Sequence, residues 1–203
     1  GYGNTVRLLR NVTGLWVVQE CRREWQKLGQ SYDYAALAQL ATEAEPFVSL
    51  INPDDDCFFS PDNMLEAIKK FCLDTGQPVP ASPGAYIRCA LESLALLYRR
   101  RLFEVSELTG RTLNKLHIVG GGSKNALLNQ FAANATGMEV VAGPAEATAL
   151  GNIIVQAITL GHLENLEDAR QVVGESMDVE SYLPKDTVSW QAAYQRFSRL
   201  ADS

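Results

Sequence analysis

Apolar side chains recur at helical spacing near the start of the chain. Val12, Leu15, Trp16, Val18 and Trp25 predict a first long helix over residues 12–28. Ser31 and Asp33 offer caps for a shorter alanine-rich helix that must end before Pro46. Phe47–Ile51 reads as a short strand, and it empties into Asn52-Pro53-Asp54-Asp55-Asp56, an acidic turn-forming loop. Ser60-Pro61 has the form of a helix start, a cap followed by proline at the first helical position, with Gly76 as the matching stop. A linker carrying Pro78 and Pro80 follows. Ser82-Pro83 then opens another capped helix, whose apolar stretch Ala90–Leu97 predicts deep burial.

Past Gly110 the pattern changes. Residues 116–119 form a short apolar strand, Gly120-Gly121-Gly122 interrupts it, and a helix is expected over 123–136 with Gly137 as its stop. A second strand over 138–142 is broken by Pro144, and helices are expected over 147–160 and 187–200. Alternation of strand and helix requires parallel strands covered by helices, so the fold class is α/β.

Composition narrows the function classes. The 203 residues are 46% hydrophobic and 21% charged, enough for a sizeable core and without a low-complexity tract. A net charge of −6 without a basic stripe argues against nucleic acid as a partner. The one basic run, Arg99-Arg100-Arg101, is expected to face solvent and meet a helix dipole. No apolar run is long enough to span a bilayer, which argues against a membrane partner. Cys21, Cys57, Cys72 and Cys89 form no CxxC pair and have no histidine at zinc-ligand spacing, so the expected metal-site residues are none and the expected compartment is the reducing cytoplasm. Cys72 and Cys89 lie near facing helix ends; two buried thiols are favoured there over a disulfide. His117 and His162 lack a catalytic partner and read as structural.

The segment that carries most chemistry is Leu116-His-Ile-Val-Gly-Gly-Gly-Ser-Lys-Asn125. Glycines between a strand and a helix let a ligand approach the backbone, and helix N-terminal N–H groups attract anions, so the outline is that of a phosphate loop. Such turns also arise from tight packing alone. A Walker loop fails, because no Gly-Lys pair exists. A dinucleotide fingerprint is weak, because Gly120 and Gly122 fit but the third position is Asn125. An amide at Asn125, one turn into the helix, both donates and accepts, as a base or ribose requires. Asn11 and Gln19, eight residues apart, fall on one edge of the predicted first helix, Asn11 being either its cap or a ligand contact. Among Asp54, Asp55 and Asp56 a solvated turn is favoured over a Mg²⁺ site.

The stretch IVGGGSKNALLNQFAANATGMEVVAGPAEATALGN, residues 118–152, resembles the adenosine-binding segment of the FGGY carbohydrate kinases, including the helix-opening E-x-T-A-L-G at Glu146, Thr148, Ala149, Leu150 and Gly151. Asn11-Val-Thr-Gly-Leu-Trp-Val-Val-Gln19 and Ile51-Asn-Pro-Asp-Asp-Asp56, followed by Phe59 and Pro61, resemble segments of the branch that phosphorylates L-rhamnulose; fuculokinase and xylulokinase branches are the near alternatives. The likeness weakens after about Val172.

It implies an RNase-H-like domain of the actin-like ATPase superfamily, with a mixed sheet flanked by helices. ATP or ADP would be bound by Gly120, Gly121, Gly122, Asn125, Asn11 and Gln19, with Mg²⁺ as companion. It also implies that the catalytic Asp and most sugar contacts lie in an N-terminal half not present here, so no catalytic residue is expected in this chain. The opening Gly1-Tyr2-Gly3, lacking an initiator Met, fits a piece of a longer protein, residues 1–203 forming its C-terminal nucleotide-binding domain. A stand-alone nucleotide-binding module without catalysis is the alternative from a different class.

Overall fold

The computed structural model describes residues 6, 8–177 and 179–202; the opening Gly1–Gly3 lies outside them. Its elements are α1 (Trp16–Lys27), α2 (Tyr34–Glu43), α3 (Met64–Asp74), α4 (Pro83–Thr109), β1 (Lys115–Ile118), α5 (Ala126–Thr136), β2 (Glu139–Ala142), α6 (Ala147–Thr159), α7 (Leu166–Ser176), β3 (Glu180–Tyr182) and α8 (Thr187–Ala201). Two 3-10 turns, Asp56–Phe58 and Gly120–Lys124, complete them.

The axis is α4. Its entry is capped by Ser82, whose hydroxyl accepts from Ala85 N, with Pro83 at the first helical position, and it stops at Gly110 in the left-handed conformation. Ile87, Leu91, Leu94, Leu96 and Leu97 are all fully buried, so this half of the helix is apolar on every side because α1, α2, α5 and α8 surround it. The sheet packs on α5, with Tyr98 of α4 beside it. β1 and β2 are parallel, Lys115 opposite Glu139 and Ile118 opposite Ala142, and β3 adds antiparallel to β2. The crossover helix α5 seals one face, where Ala132 and Ala133 pack on Val140 with Leu116, Ile118 and Tyr182 around them.

Several expectations change. Phe47–Ile51 is not a strand: its backbone is satisfied by side chains instead. Phe47 N donates to Glu92 Oε2 (2.9 Å), Leu50 N to Gln77 Oε1 (2.9 Å) and Ile51 N to Ser93 Oγ (2.9 Å). The apolar run reflects burial beneath α4, which a periodicity argument cannot separate from a strand. The start expected at Ser60-Pro61 moves to Asn63, which caps α3 through Glu66 N, because the 3-10 turn after Asp55 occupies the residues ahead of it. α1 begins at Trp16 rather than Val12. α7 and β3 were not foreseen in the pattern.

The arginine run sits mid-helix rather than at an end and is engaged, not solvated. The Arg99 guanidinium lies over the Tyr194 ring at 4.2 Å, Arg100 pairs with Asp202 and Arg101 with Asp54. All four cysteines are free. Burial pushes the Cys21 and Cys89 thiols well above their ordinary range, as for inert core residues.

Candidate functional site

The three glycines follow β1 after Val119 and lie where the parallel strands end, the edge of an open sheet at which ligands are commonly held. They fold as a 3-10 turn, Gly120–Lys124, so α5 starts at Ala126 instead of Ser123. Two backbone bonds clasp this turn to the segment after β2: Gly143 N donates to Ile118 O (2.8 Å) and Gly120 N to Pro144 O (3.1 Å). Within the turn, Ser123 Oγ donates to Gly120 O at 2.7 Å. From inside α5, the fully buried Asn129 donates through Nδ2 to Ser123 O at 2.8 Å. Loop and helix are thus one rigid unit.

The glycines are there for different reasons. Gly120 has φ +77°, a conformation that side chains other than hydrogen resist. At Gly122 a Cβ would sit 3.7 Å from Ile118 Cγ2, an ordinary contact. At Gly121 a Cβ would meet nothing within 4 Å and the backbone is not left-handed, so nothing in this chain demands glycine there. Space kept clear of protein atoms beside a backbone turn is what a ligand pressed against that backbone would use. Gly120→Ala is therefore expected to cost about 1–2 kcal/mol, while Gly121→Ala stays within about 0.5 kcal/mol of the parent in urea unfolding. Equal losses at both positions would remove this distinction.

Asn125 is not one turn into the helix. It is the N-cap of α5, its Oδ1 accepting from Leu128 N at 3.0 Å, which leaves the amide N–H₂ end for other partners. Asn11 lies in the coil five residues ahead of α1, so it does not share a helix edge with Gln19; both are exposed. Among the described residues neither side chain bonds to the glycine turn, α1 being packed chiefly on α3 and α4. The turn and Asn125 are brought together; Asn11 and Gln19 form a separate exposed stretch.

The acidic loop is a structural clasp. Asp54 Oδ1 accepts from Thr13 N (3.1 Å) and Thr13 Oγ1 (3.2 Å), and Oδ2 from Arg101 Nη2 (2.7 Å). Burial opposes ionisation of Asp54, but the bonds from Arg101 and Thr13 outweigh it and hold the carboxyl below its ordinary value. Asp55 accepts from Cys57 N and fixes the 3-10 turn. Asp54 therefore ties the entry of α1 to α4, and among the described residues no group of three or more His, Cys, Asp or Glu is placed to hold a metal.

Beside the turn, Ser123, Lys124, Ala142, Gly143, Glu180 and Tyr182 line a cavity of about 380 Å³. Sequence reasoning passed over Asn129 and Gly143, which position the loop. Gly143, at φ +114° and followed by proline, left a visible Gly-Pro signal. Asn129 left none, being one amide among several on a helix.

Residues 1–160 match the FGGY family of carbohydrate kinases, C-terminal domain. The chain is 47% identical over 197 residues to a rhamnulokinase of Bacteroides thetaiotaomicron, covering 97% of this chain and 40% of that protein. It is 41% identical to a rhamnulokinase of Pectobacterium atrosepticum, covering 99% of this chain and 40% of the relative. The chain thus spans about 40% of the length of the relatives it matches. Among solved structures, a xylulose kinase from Rhodospirillum rubrum superposes with a TM-score of 0.63 at 19% identity, covering 93% of this chain and 37% of that one. Plasmodium falciparum glycerol kinase with ADP gives 0.62 at 14%, covering 94% and 36%. The α/β architecture is accordingly the actin-like ATPase fold of these kinases, with a mixed sheet, as expected.

Proposed function

The chain belongs to the FGGY family of carbohydrate kinases, and we propose on that basis that residues 1–203 form the C-terminal nucleotide-binding domain of an ATP-dependent kinase for L-rhamnulose. The observation that carries the nucleotide part is the turn after β1, where Gly121 keeps open space against the backbone beside the N-cap Asn125. ATP or ADP phosphates lie along Gly120–Gly122, and the Asn125 amide meets the base or ribose. Asn11 and Gln19 contact the nucleotide from the other side of the cleft, a role that rests on the family resemblance alone. The sugar preference is supported by relatives named rhamnulokinase at 47% and 41% identity.

In the reaction the primary hydroxyl oxygen of L-rhamnulose bonds to the γ-phosphorus of ATP as the bridging P–O bond to ADP breaks. The hydroxyl proton passes to a base, giving L-rhamnulose 1-phosphate. This chain holds the nucleotide and orients it. The base and most sugar contacts belong to an N-terminal portion of the polypeptide, so the chain alone does not turn over. Mg²⁺ would enter with the nucleotide and offset the charge of its phosphates. Asp54 is committed to Arg101 and Thr13. Four free cysteines fit a reducing compartment, and we place the protein in the cytoplasm.

The test of the substrate is a panel of ketoses offered with ATP to the chain joined to the N-terminal portion of the Bacteroides relative. L-Rhamnulose is expected to give the highest kcat/KM by at least tenfold, and the chain alone no product. Preference for xylulose or fuculose would overturn the sugar assignment.

A further inference from the structure

α1 begins without a side-chain cap of its own. Leu15 holds the N-cap position and can offer no such bond, and the backbone bond from Trp16 N to Thr13 O is long, at 3.4 Å. Val12 and Leu15 rest against the core, and the polar anchor between them comes from elsewhere in the chain. Asp54 Oδ1 accepts from both Thr13 N and Thr13 Oγ1, so one carboxylate oxygen holds the backbone and the side chain of the same residue.

The anchor is itself fixed to α4. Ile51 N donates to Ser93 Oγ, and Arg101 Nη2 donates to Asp54 Oδ2 at 2.7 Å; Ser93 and Arg101 lie about two turns apart on that helix. Nη1 of Arg101 bonds both oxygens of Glu104, at 2.7 and 2.8 Å, so the guanidinium is gripped on its other side as well. Ahead of Thr13, Asn11 is exposed, and its amide has no hydrogen-bond partner among the described residues. Such an amide, at the end of a segment that is held in place, is open to a ligand. Gln19 is placed differently. It is carried by α1, whose Val17, Val18, Cys21 and Trp25 are buried.

We propose that Asp54 and Arg101 are positioning residues for nucleotide binding, which present Asn11 to the ligand by fixing Thr13. The inference rests on the assignment of Asn11 to the nucleotide given above. A contact group already held in place loses less conformational freedom when the ligand arrives, so the clasp raises affinity without touching the ligand.

ATP saturation kinetics are measured on this chain joined to the N-terminal portion of the Bacteroides relative. Asp54→Ala is expected to raise the KM for ATP roughly fivefold or more, with kcat within about twofold of the parent. Thr13→Val, which loses the hydroxyl bond but keeps the N–H bond, raises it by less, and Thr13→Ser restores the parent value. Asn11→Ala raises the same KM, and Asp54→Ala added to it has little further effect, because the clasp acts through Asn11. Added to Gln19→Ala, Asp54→Ala multiplies the KM by its full factor. A role confined to stability gives the full factor in both backgrounds, and that result overturns the proposal. An unchanged KM in a folded Asp54→Ala protein overturns it too; where that variant does not fold, Thr13→Val carries the same cycle. Asn11→Ala with the parent KM removes Asn11 from the nucleotide site and this inference with it. A raised KM in Asn11→Ala, beside the parent KM in both clasp variants, sinks the clasp alone.

Discussion

Gly84→Ala is expected to destabilise the fold by about 3 kcal/mol or more, at the top of the range for overpacking. A Cβ on Gly84 would stand 2.3 Å from Leu40 O and 2.7 Å from Leu40 C, both backbone atoms of α2. A side-chain tip can swing away, but Leu40 O cannot, because it accepts from Ala44 N to close the end of that helix. Relief therefore requires α2 and α4 to separate along a contact at the centre of the core. For a chain of this size the thermal midpoint would fall by roughly 6–12 °C. Gly174→Ala in α7 is the control, since a Cβ there meets nothing within 4 Å, and it should gain about 0.5–1 kcal/mol from helix propensity. A Gly84→Ala protein as stable as its parent would mean that the two helices do not cross as closely as described.

Arg88→Met is expected to cost about 3–5 kcal/mol at pH 8, and clearly less at pH 5. Arg88 Nε donates to Glu92 Oε1 at 2.7 Å, while Nη1 reaches Ala41 O (3.0 Å), Thr42 O (3.2 Å) and Ala44 O (3.0 Å). It thereby gathers the C-terminal carbonyls of α2 around a buried carboxylate. Glu92 is 1% exposed, and burial raises its pKa to about 7 even though Arg88 and the Phe47 N–H pull it down.

A carboxyl whose folded pKa lies above its ordinary 4.5 binds its proton more tightly in the folded state. Its stabilising share is therefore full below pH 4.5 and is lost as pH rises to about 7. In the parent this amounts to roughly 3 kcal/mol between those limits. Asp54 works in the opposite sense: its contribution is present above pH 3.8 and lost only on further acidification, so it is constant over the interval. Removing Arg88 takes away a cation that holds this pKa down. At pH 8 the buried carboxyl must then either stay ionised without its partner or take up a proton at a cost, whereas at pH 5 it is a neutral carboxylic acid in parent and variant alike. Urea unfolding at the two pH values reads the difference, and an identical cost at both would show that Glu92 does not change its protonation state in the fold between pH 5 and pH 8.

Much of the helical frame was legible because its signals are local. Ser82-Pro83, Gly110 and Gly137 mark ends that the fold uses as written, and the strand–glycine–helix–strand order around Gly120 fixed the parallel pair. What was not legible is long-range. Phe47–Ile51 looked like a strand because it is apolar, whereas Glu92, Gln77 and Ser93 satisfy its backbone from elsewhere in the chain. The arginine run looked solvated, yet its partners Asp54, Tyr194 and Asp202 are far away in sequence. At the candidate site the glycine turn was readable from composition. That Gly120 serves the turn while Gly121 serves nothing in the chain required the backbone angles and the space around each. The placement of Asn11 outside α1 had no local signal, since an asparagine before an apolar helix resembles a cap.

The nucleotide assignment stands or falls with Gly121, and one calorimetric titration of ADP into the parent chain and into Gly121→Val tests it. Saturable binding by the parent and at least a tenfold loss in the variant are expected, with both proteins unfolding at the same urea midpoint. No heat from the folded parent, or equal affinity in the two, would contradict it.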